Sequence, residues 1–345
     1  MQKIRFGVAG LGRIGWFFHC EQIAAREDCE LAAVAERDEA RRLEASAKYG
    51  CRAFADFEEM IHSGLVDAVA IATPTHLHES MSCAALRAGL DVVLEKPMAP
   101  DLASAERIAV VVKETGRLLT VYQPHRLMAY FQHIRKIVES GAIGKVTGVQ
   151  RASLSYARRN DWQSLKKYGG GMLNNYGAHF LDQMLQLTGY DVERIHCVLQ
   201  KVATLGDADD VVKVLFATKG GVFADLLISQ AAISVPYEFV VWGTHGTLEK
   251  QGNNLKLRNF DPDKLKGKSL DESLASANRE YPSDAPEVHE ELIPVDPSLE
   301  VDFYADFLHA LRTGSQPVTP LAQTLAVMRL LAKCREDAGT EADMR

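Results

Sequence analysis

Short apolar runs alternate with amphipathic segments over the first third of the chain. The runs are almost continuously apolar, which is typical of strands buried on both faces of a parallel sheet. The segments between them have helical periodicity, so they predict strand–helix–strand crossovers and a doubly wound α/β domain. The predicted strands are 4–9, 31–35, 68–72, 92–94 and 118–121. The predicted helices are 14–25, 39–48, 57–63, 76–88 and 102–115.

The pattern changes after Gln123. Strand-like stretches follow one another closely there, joined by turn residues, which indicates an antiparallel or mixed sheet and a domain of α+β type. The predicted strands are 146–153, 195–203, 210–216, 222–228 and 237–242. Helices are predicted at 129–140, 300–312 and 321–337, and a hairpin with a surface loop at 252–286. We therefore predict a Rossmann domain over 1–122 and a substrate domain over 123–345.

Composition narrows the classes of partner. The 39 Lys and Arg and 46 Asp and Glu give a formal net charge of −7, whereas a nucleic-acid interface needs a basic face. No apolar run approaches the ~18 residues that span a bilayer, and the first residues predict a strand instead of a cleaved leader. The six cysteines show no CxxC spacing, so we expect no metal site, no disulfide and a cytoplasmic location.

A glycine-rich loop lies between the first predicted strand and the helix after it. Residues 10–15, GLGRIG, fit the pattern GxGxxG, in which small residues let backbone N–H groups approach a pyrophosphate at a helix N-terminus. A glycine turn without a ligand is the alternative. The cofactor contacts predicted in this loop are Gly10, Gly12, Arg13 and Ile14.

An acidic residue about 20 positions further on completes the dinucleotide pattern. Glu36 ends the second predicted strand, where its carboxylate can accept hydrogen bonds from both ribose hydroxyls and would repel a 2′-phosphate. Glu36 therefore favours NAD over NADP. The neighbouring Arg37 leaves NADP open, because a guanidinium could stack on adenine or pair with a 2′-phosphate.

Further motifs give the chain a family resemblance. They are Thr73-Pro74 leading to His78, Glu95-Lys96-Pro97, Gly169-Gly170-Gly171, and Asn175-x-Gly177-x-His179-x-x-Asp182. In this order and spacing the chain resembles the Gfo/Idh/MocA family, which includes glucose–fructose oxidoreductase and inositol 2-dehydrogenase. The resemblance extends from residue 4 to about residue 336.

The resemblance implies a fold, an activity and an assembly. The second domain would carry a large open, mostly antiparallel sheet, with substrate on one side and subunit contacts on the other. The activity would be oxidation of a secondary alcohol of a sugar, cyclitol or related hydroxy compound by a homodimer or homotetramer. The added cofactor contacts would be Thr73, Pro74, His78, Glu95, Lys96 and Gln123, and the Lys96–Pro97 peptide is expected to be cis.

Lys96 follows an apolar strand, at the edge where doubly wound sheets bind their ligands. Its ammonium can hydrogen-bond a substrate hydroxyl and stabilise charge that develops on the oxygen. A solvated surface lysine is the alternative.

Residues 172–187 predict a helix ended by Gly189. Asn175, His179 and Asp182 share the face opposite an apolar stripe, and an ordinary amphipathic helix with that face in water is the alternative. We predict that His179 accepts the substrate proton, because imidazole changes protonation near neutral pH.

Asn175 departs from the family pattern, which most often has Asp at this position. An amide carries no charge and accepts no proton, although it can hydrogen-bond a sugar hydroxyl. Loss of the carboxylate should also make a protonated imidazole less favoured. We therefore expect that His179 acts alone or that the reaction is modified.

The loop before the triple glycine combines aromatic and charged side chains that suit a polyol or a carboxylate, with a charged surface loop as the alternative. It contains Tyr156, Arg158, Arg159, Asp161 and Trp162. The predicted substrate contacts are Tyr156, Arg158, Trp162 and Asp182. Two other functions stay open at this point: an NAD-dependent glycoside hydrolase with transient redox chemistry, and a non-catalytic regulator that senses dinucleotides.

Overall fold

Two sheets organise the chain, in a computed structural model that describes residues 3–235, 237–270, 272, 274 and 284–342. The first sheet has six parallel strands in the order β3-β2-β1-β4-β5-β6, the order of a Rossmann fold. Its strands are β1 Ile4–Ala9, β2 Cys29–Ala35, β3 Arg52–Phe54, β4 Ala68–Ile71, β5 Asp91–Glu95 and β6 Leu119–Tyr122. The helices between them are α1 Glu21–Ala24, α2 Glu39–Tyr49, α3 Phe57–Ile61, α4 His78–Arg87 and α5 Leu102–Thr115. The predicted doubly wound domain is confirmed.

Two details of this domain differ from the prediction. The edge strand β3 was not predicted, because three residues that are exposed or half-buried carry too little apolar pattern. The predicted helix over 14–25 begins instead with a π-helical turn, Gly15–Cys20, before α1. That turn packs tightly on the glycine loop: a Cβ on Gly15 would lie 1.8 Å from the carbonyl oxygen of Gly10, so only glycine fits.

The second sheet has eight strands in the order β14-β13-β12-β11-β7-β10-β9-β8. Its strands are β7 Val146–Leu154, β8 Val192–Gln200, β9 Val211–Thr218, β10 Phe223–Ser229, β11 Phe239–Gly243, β12 Gly246–Gln251, β13 Asn254–Asn259 and β14 His289–Pro294. Only the β7–β10 pair is parallel, which confirms the predicted mostly antiparallel sheet. The helices of this part are α6 Pro124–Leu127, α7 Ala129–Glu139, α8 Ala178–Thr188, α9 Phe303–Thr313 and α10 Leu321–Ala342.

The predicted hairpin over 252–286 is confirmed in part, because β13 forms a hairpin with β12, whereas its pairing with β14 was not predicted. Residues Asn254–Asn259 pair with strands on both sides, and residues 271, 273 and 275–283 lie outside the described residues. Leu255 and Leu257 alternate with polar residues and are the buried side chains of β13. Two buried residues make too short an alternating pattern to predict a strand from the sequence. Pairing with the neighbouring strands stabilises β13.

Helix α9 packs on the first sheet, although it follows the second sheet in the chain. The ring of Phe6 in β1 lies 5.5 Å from that of Tyr304 and 5.8 Å from that of Phe307. The boundary between residues 122 and 123 stays a prediction. Phe303, Tyr304, Phe307 and Leu308 of α9 share one hydrophobic cluster with residues of β1 and β2.

The predicted helix over 172–187 is a π-helical turn, Leu173–Gly177, that continues as α8. Every residue from Ala178 to Leu185 is buried, so the alternative in which the polar face meets water is wrong. Asp182 forms an ion pair with Arg126 of α6, and both side chains are 1% exposed. The guanidinium contacts both carboxylate oxygens, with a distance of 2.9 Å from Nε to Oδ2. Asp182 therefore cannot serve as the predicted substrate contact.

All six cysteines are buried free thiols. In the part of the chain that the structure describes, no helix is both long enough and apolar enough to cross a bilayer.

The substitution Asp182→Asn should strongly destabilise the fold, because it leaves the Arg126 guanidinium buried without a counter-charge. We expect a loss of about 3–5 kcal/mol in the free energy of unfolding, measured by urea denaturation. The control is Asp191→Asn, which removes an exposed carboxylate 3.8 Å from Lys219 and should cost less than about 1 kcal/mol. A stable Asp182→Asn protein with weakened substrate binding would contradict the structural role.

Candidate functional site

A cleft with a volume of about 690 Å³ lies where the carboxyl ends of the parallel strands face the π-helical turn before α8. This volume is in the usual range of small-molecule sites, and the position is the one where doubly wound sheets bind ligands. The first domain contributes Gly10, Gly12, Arg13, Ile14, Glu36, Thr73, Pro74, Glu95 and Lys96 to the lining. The second part contributes His125, Arg159, Trp162, Asn175 and His179, among others.

The glycine loop and Glu36 fit the phosphate and ribose parts of a dinucleotide. Apart from Gly12 and its two chain neighbours, no heavy atom of the described residues lies within 4 Å of the position that a Cβ on Gly12 would take, so the backbone is open to a ligand there. Glu36 directly follows β2 beside the loop, where Oε2 accepts the N–H of Leu11 at 2.7 Å and Oε1 accepts that of Asp38 at 3.1 Å. These bonds fix the carboxylate where ribose hydroxyls would meet it.

Arg37 does not line the cleft; its side chain is exposed, and Arg41 of α2 lines the cleft instead. The position of Arg37 therefore does not support the predicted contact with the cofactor. Residue 37 follows directly on the cleft-facing Glu36, and neighbouring side chains of an extended segment point to opposite sides. Arg41 lies one helical turn later and was missed by sequence reasoning.

His78 lies behind the cleft and not in it. The ring is 1% exposed, with Nδ1 3.0 Å from the carbonyl oxygen of Pro97 and Nε2 2.9 Å from that of Thr73. Burial lowers the pKa of His78, opposed by these two carbonyls. The predicted direct contact with the cofactor is wrong, because the ring is buried between the carbonyl groups of the two loops that line the cleft. The Lys96–Pro97 peptide in the second of these loops is cis, as expected.

The ammonium of Lys96 meets amide oxygens of a single residue. Its Nζ donates to Oδ1 of Asn175 at 2.9 Å and to the backbone oxygen of Asn175 at 3.1 Å. Burial lowers the pKa of Lys96 to about 8, opposed by the Glu95 carboxylate and reinforced by Arg159. Lys96 is therefore not the solvated surface lysine of the alternative interpretation, and it can change charge near neutral pH.

His179 is 5% exposed, and its Nδ1 lies 3.0 Å from Oε1 of Gln123. An amide oxygen only accepts hydrogen bonds, so Nδ1 carries the proton and Nε2 offers a lone pair. Burial, together with Lys96 and His125, holds the pKa of His179 well below its usual value. Gln123 is itself buried and does not line the cleft, so its predicted contact with the cofactor is replaced by a role in orienting His179.

Glu95 belongs to a buried chain of hydrogen bonds that spacing along the sequence could not show. Its Oε1 lies 3.1 Å from Nε2 of His19, whose Nδ1 lies 2.6 Å from the hydroxyl of Tyr304 in α9. The other carboxylate oxygen accepts the backbone N–H of Lys96 at 3.2 Å. The packing of α9 on the first sheet thus helps to fix the strand end that carries Lys96.

The loop before the triple glycine contributes Arg159 and Trp162 to the cleft, but not Tyr156 or Arg158. Arg159 donates from Nε to Asp161 at 2.8 Å and also contacts Gln163. Tyr156 is 62% exposed, and Arg158 is exposed as well. Arg158 was predicted as a substrate contact, but its neighbour Arg159 lines the cleft. The sequence does not show which of two consecutive side chains points inward.

Comparison with known proteins places the chain in a family. Residues 4–123 match the model of the oxidoreductase family with an NAD-binding Rossmann fold, and residues 131–249 match the GFO/IDH/MocA C-terminal domain. The inositol 2-dehydrogenase of Pseudarthrobacter chlorophenolicus is 30% identical over 232 residues, which cover 66% of this chain and 67% of that protein. The myo-inositol 2-dehydrogenase of Thermotoga maritima is 28% identical over 258 residues, 71% of this chain and 74% of that protein.

Solved structures share the whole fold. An NAD-binding protein from Listeria innocua superposes with a TM-score of 0.84 at 23% identity, over 99% of both chains. The WlbA dehydrogenase from Bordetella pertussis, in complex with NADH and UDP-GlcNAcA, superposes with a TM-score of 0.78 at 23% identity, over 99% of this chain and 98% of that one. The chain therefore belongs to the GFO/IDH/MocA family of NAD-binding oxidoreductases, which confirms the predicted enzyme class of dehydrogenases that act on CH–OH groups.

Proposed function

We propose that this protein oxidises a secondary alcohol of a sugar, cyclitol or related hydroxy compound with NAD. The observation that carries the proposal is that Lys96 and His179 line one cleft, beyond the strand ends and next to the glycine loop. Two relatives named as inositol 2-dehydrogenases support an alcohol of this class. We predict the substrate on the side of the cleft that Arg159 and Trp162 line.

Lys96 binds and polarises the hydroxyl that reacts. An ammonium has three N–H groups, and the two oxygens of Asn175 occupy two of them. The third is available for the substrate oxygen, whose negative charge grows as the proton leaves.

His179 takes that proton at Nε2 and holds it there, while its Nδ1–H stays hydrogen-bonded to Oε1 of Gln123. Bound NAD would supply the hydride acceptor. Because the ring is buried, water has little access to the base, and the side chain of Gln123 keeps its lone pair in a fixed direction. Asn175 takes no part in proton transfer in this scheme and serves to place Lys96.

NAD is favoured over NADP because the carboxylate of Glu36 lines the cleft beside the glycine loop. No feature of the described residues favours the glycosidase or the regulator hypothesis over the dehydrogenase. Assembly as a homodimer or homotetramer stays a prediction.

Loss of either reacting group should abolish most turnover and leave cofactor binding intact. Once a substrate has been found by following absorbance at 340 nm with a panel of polyols, sugars and sugar acids, kcat of Lys96→Met and of His179→Ala should fall about 10²–10⁴-fold. NADH affinity, measured by fluorescence titration, should change little. The exposed His62, whose Nε2 lies 3.6 Å from Glu58, gives the matched control His62→Ala. Near-normal turnover by His179→Ala would remove His179 from its proposed role.

The pH profile should report the charge of Lys96. Oxidation should decline as pH rises through about 8, because the ammonium then becomes a neutral amine that no longer stabilises an oxyanion. Asn175→Asp places a carboxylate against the Lys96 ammonium. The pH at which kcat/KM declines should then rise by about 1–3 units. Asn175→Ser introduces no charge and should produce no upward shift. A decline that stays at the same pH in Asn175→Asp would show that another group titrates.

The choice of cofactor should depend on Glu36. Wild-type protein should bind NADH more tightly than NADPH in a fluorescence titration. Glu36→Ala should weaken NADH binding by roughly tenfold, the equivalent of about 1.4 kcal/mol, and narrow the difference between the two cofactors. The control is Glu44→Ala, an exposed position on α2. Tighter binding of NADPH by the wild-type protein would overturn the preference.

A further inference from the structure

His125 is a second histidine in the cleft that the proposed reaction does not use. Its ring lines the cleft, and its centre lies 4.4 Å from the centre of the His179 ring with a tilt of 38° between the two planes. The ring of Phe180 packs against it at 5.4 Å. Nothing in the sequence motifs assigned a role to this residue, since it lies in the connection between the two sheets.

The backbone of His125 is held firmly. Its carbonyl oxygen accepts a hydrogen bond of 2.6 Å from Nε2 of Gln183, a buried residue of α8. The next residue, Arg126, is fixed by the buried ion pair with Asp182. The ring therefore occupies a defined position before any ligand arrives, as a binding group should.

The surroundings decide which ring nitrogen of His125 carries the proton. Burial, with Arg151 and Lys96, lowers the pKa of His125 to about 4, so the ring is neutral at pH 7 and has one N–H. Its Nδ1 is buried and has no hydrogen-bond partner among the described residues. Buried N–H groups are rarely left without an acceptor, whereas an unused lone pair is tolerated more often. The proton therefore lies on Nε2 of a ring that lines the cleft.

The two neighbouring rings are thus complementary in hydrogen bonding. His179 offers a lone pair at Nε2, and His125 offers an N–H at Nε2, with Lys96 as the other donor nearby. A base that removes the proton of one hydroxyl therefore has beside it a donor suited to a neighbouring oxygen. Ring centres 4.4 Å apart are close enough for two oxygens on adjacent carbons to bond one ring each.

We propose that His125 binds the substrate by donating its Nε2–H to a hydroxyl on the carbon next to the one that is oxidised, so that the cleft selects vicinal diols. This inference rests on the proposed function. The oxidised carbon loses a hydride to NAD and its hydroxyl proton to His179, which leaves a ketone. The neighbouring hydroxyl only accepts a hydrogen bond and is unchanged in the product, an α-hydroxy ketone.

The test compares a substrate with its deoxy analogue. A diol oxidised in the 340 nm assay is paired with the analogue that has hydrogen in place of the adjacent hydroxyl. Wild-type kcat/KM should be at least about tenfold higher for the diol, the value of one good hydrogen bond. His125→Phe keeps an aromatic ring at this position without the N–H, so kcat/KM should fall at least about tenfold for the diol and change little for the analogue.

Controls separate binding from folding. His125→Gln keeps an N–H donor at a similar reach and should restore part of the preference for the diol. His62→Phe, at an exposed position, should retain all of it. Affinity for NADH should stay close to the wild-type value in each variant, which shows that the cleft is folded.

The outcomes distinguish this inference from the proposed function. If no polyol, sugar or sugar acid is oxidised, the proposed function fails and the inference fails with it. If an alcohol is oxidised but the deoxy analogue serves equally well, or His125→Phe keeps the preference, only the role of His125 is overturned. Nitrogen-15 NMR of histidine-labelled protein, assigned with His125→Phe, measures the protonation of the ring nitrogens and does not depend on enzymatic activity. Protonation of His125 at Nε2 is expected, and a proton on Nδ1 would contradict the proposal.

Discussion

A buried ammonium that contacts no carboxylate among the described residues is the constraint on which the site depends. Lys96 is placed by the end of β5, and its partners are the two oxygens of Asn175. Amide oxygens satisfy its N–H groups without neutralising its charge. In the proposed reaction this charge acts on the oxygen of the substrate, and burial makes that attraction stronger than it would be in water.

The positive charge of Lys96 also affects the protonation of neighbouring side chains. Lys96 contributes to the lowered pKa of His179 and of His125, so both imidazoles are neutral at pH 7. A neutral ring has one donor and one acceptor, and hydrogen bonding in the surroundings decides which nitrogen has which role. Gln123 sets this choice for His179, and the buried Nδ1 sets the opposite choice for His125. Two chemically identical side chains thus differ in which nitrogen can donate a hydrogen bond, because their surroundings differ.

Much of the fold and part of the site could be predicted from the sequence. Continuous apolar strands separated by helices, the glycine loop and Glu36 are local patterns, and the structure places the loop and Glu36 at the cleft. Contacts between distant residues were not predictable. Asp182 has the spacing of a site residue on a helix, yet Arg126, 56 positions away, removes it from the cleft. His19 and Tyr304 are 285 positions apart and meet only because α9 returns to the first sheet.

The central claim is that Lys96 and His179 meet the same substrate oxygen. A crystal structure of the protein with NADH and an identified substrate alcohol tests this most directly. The reacting oxygen should lie within about 3.2 Å of both Nζ of Lys96 and Nε2 of His179, beside the nicotinamide ring. A substrate whose reacting oxygen contacts neither group, with the alcohol carbon still next to the nicotinamide, would contradict the claim.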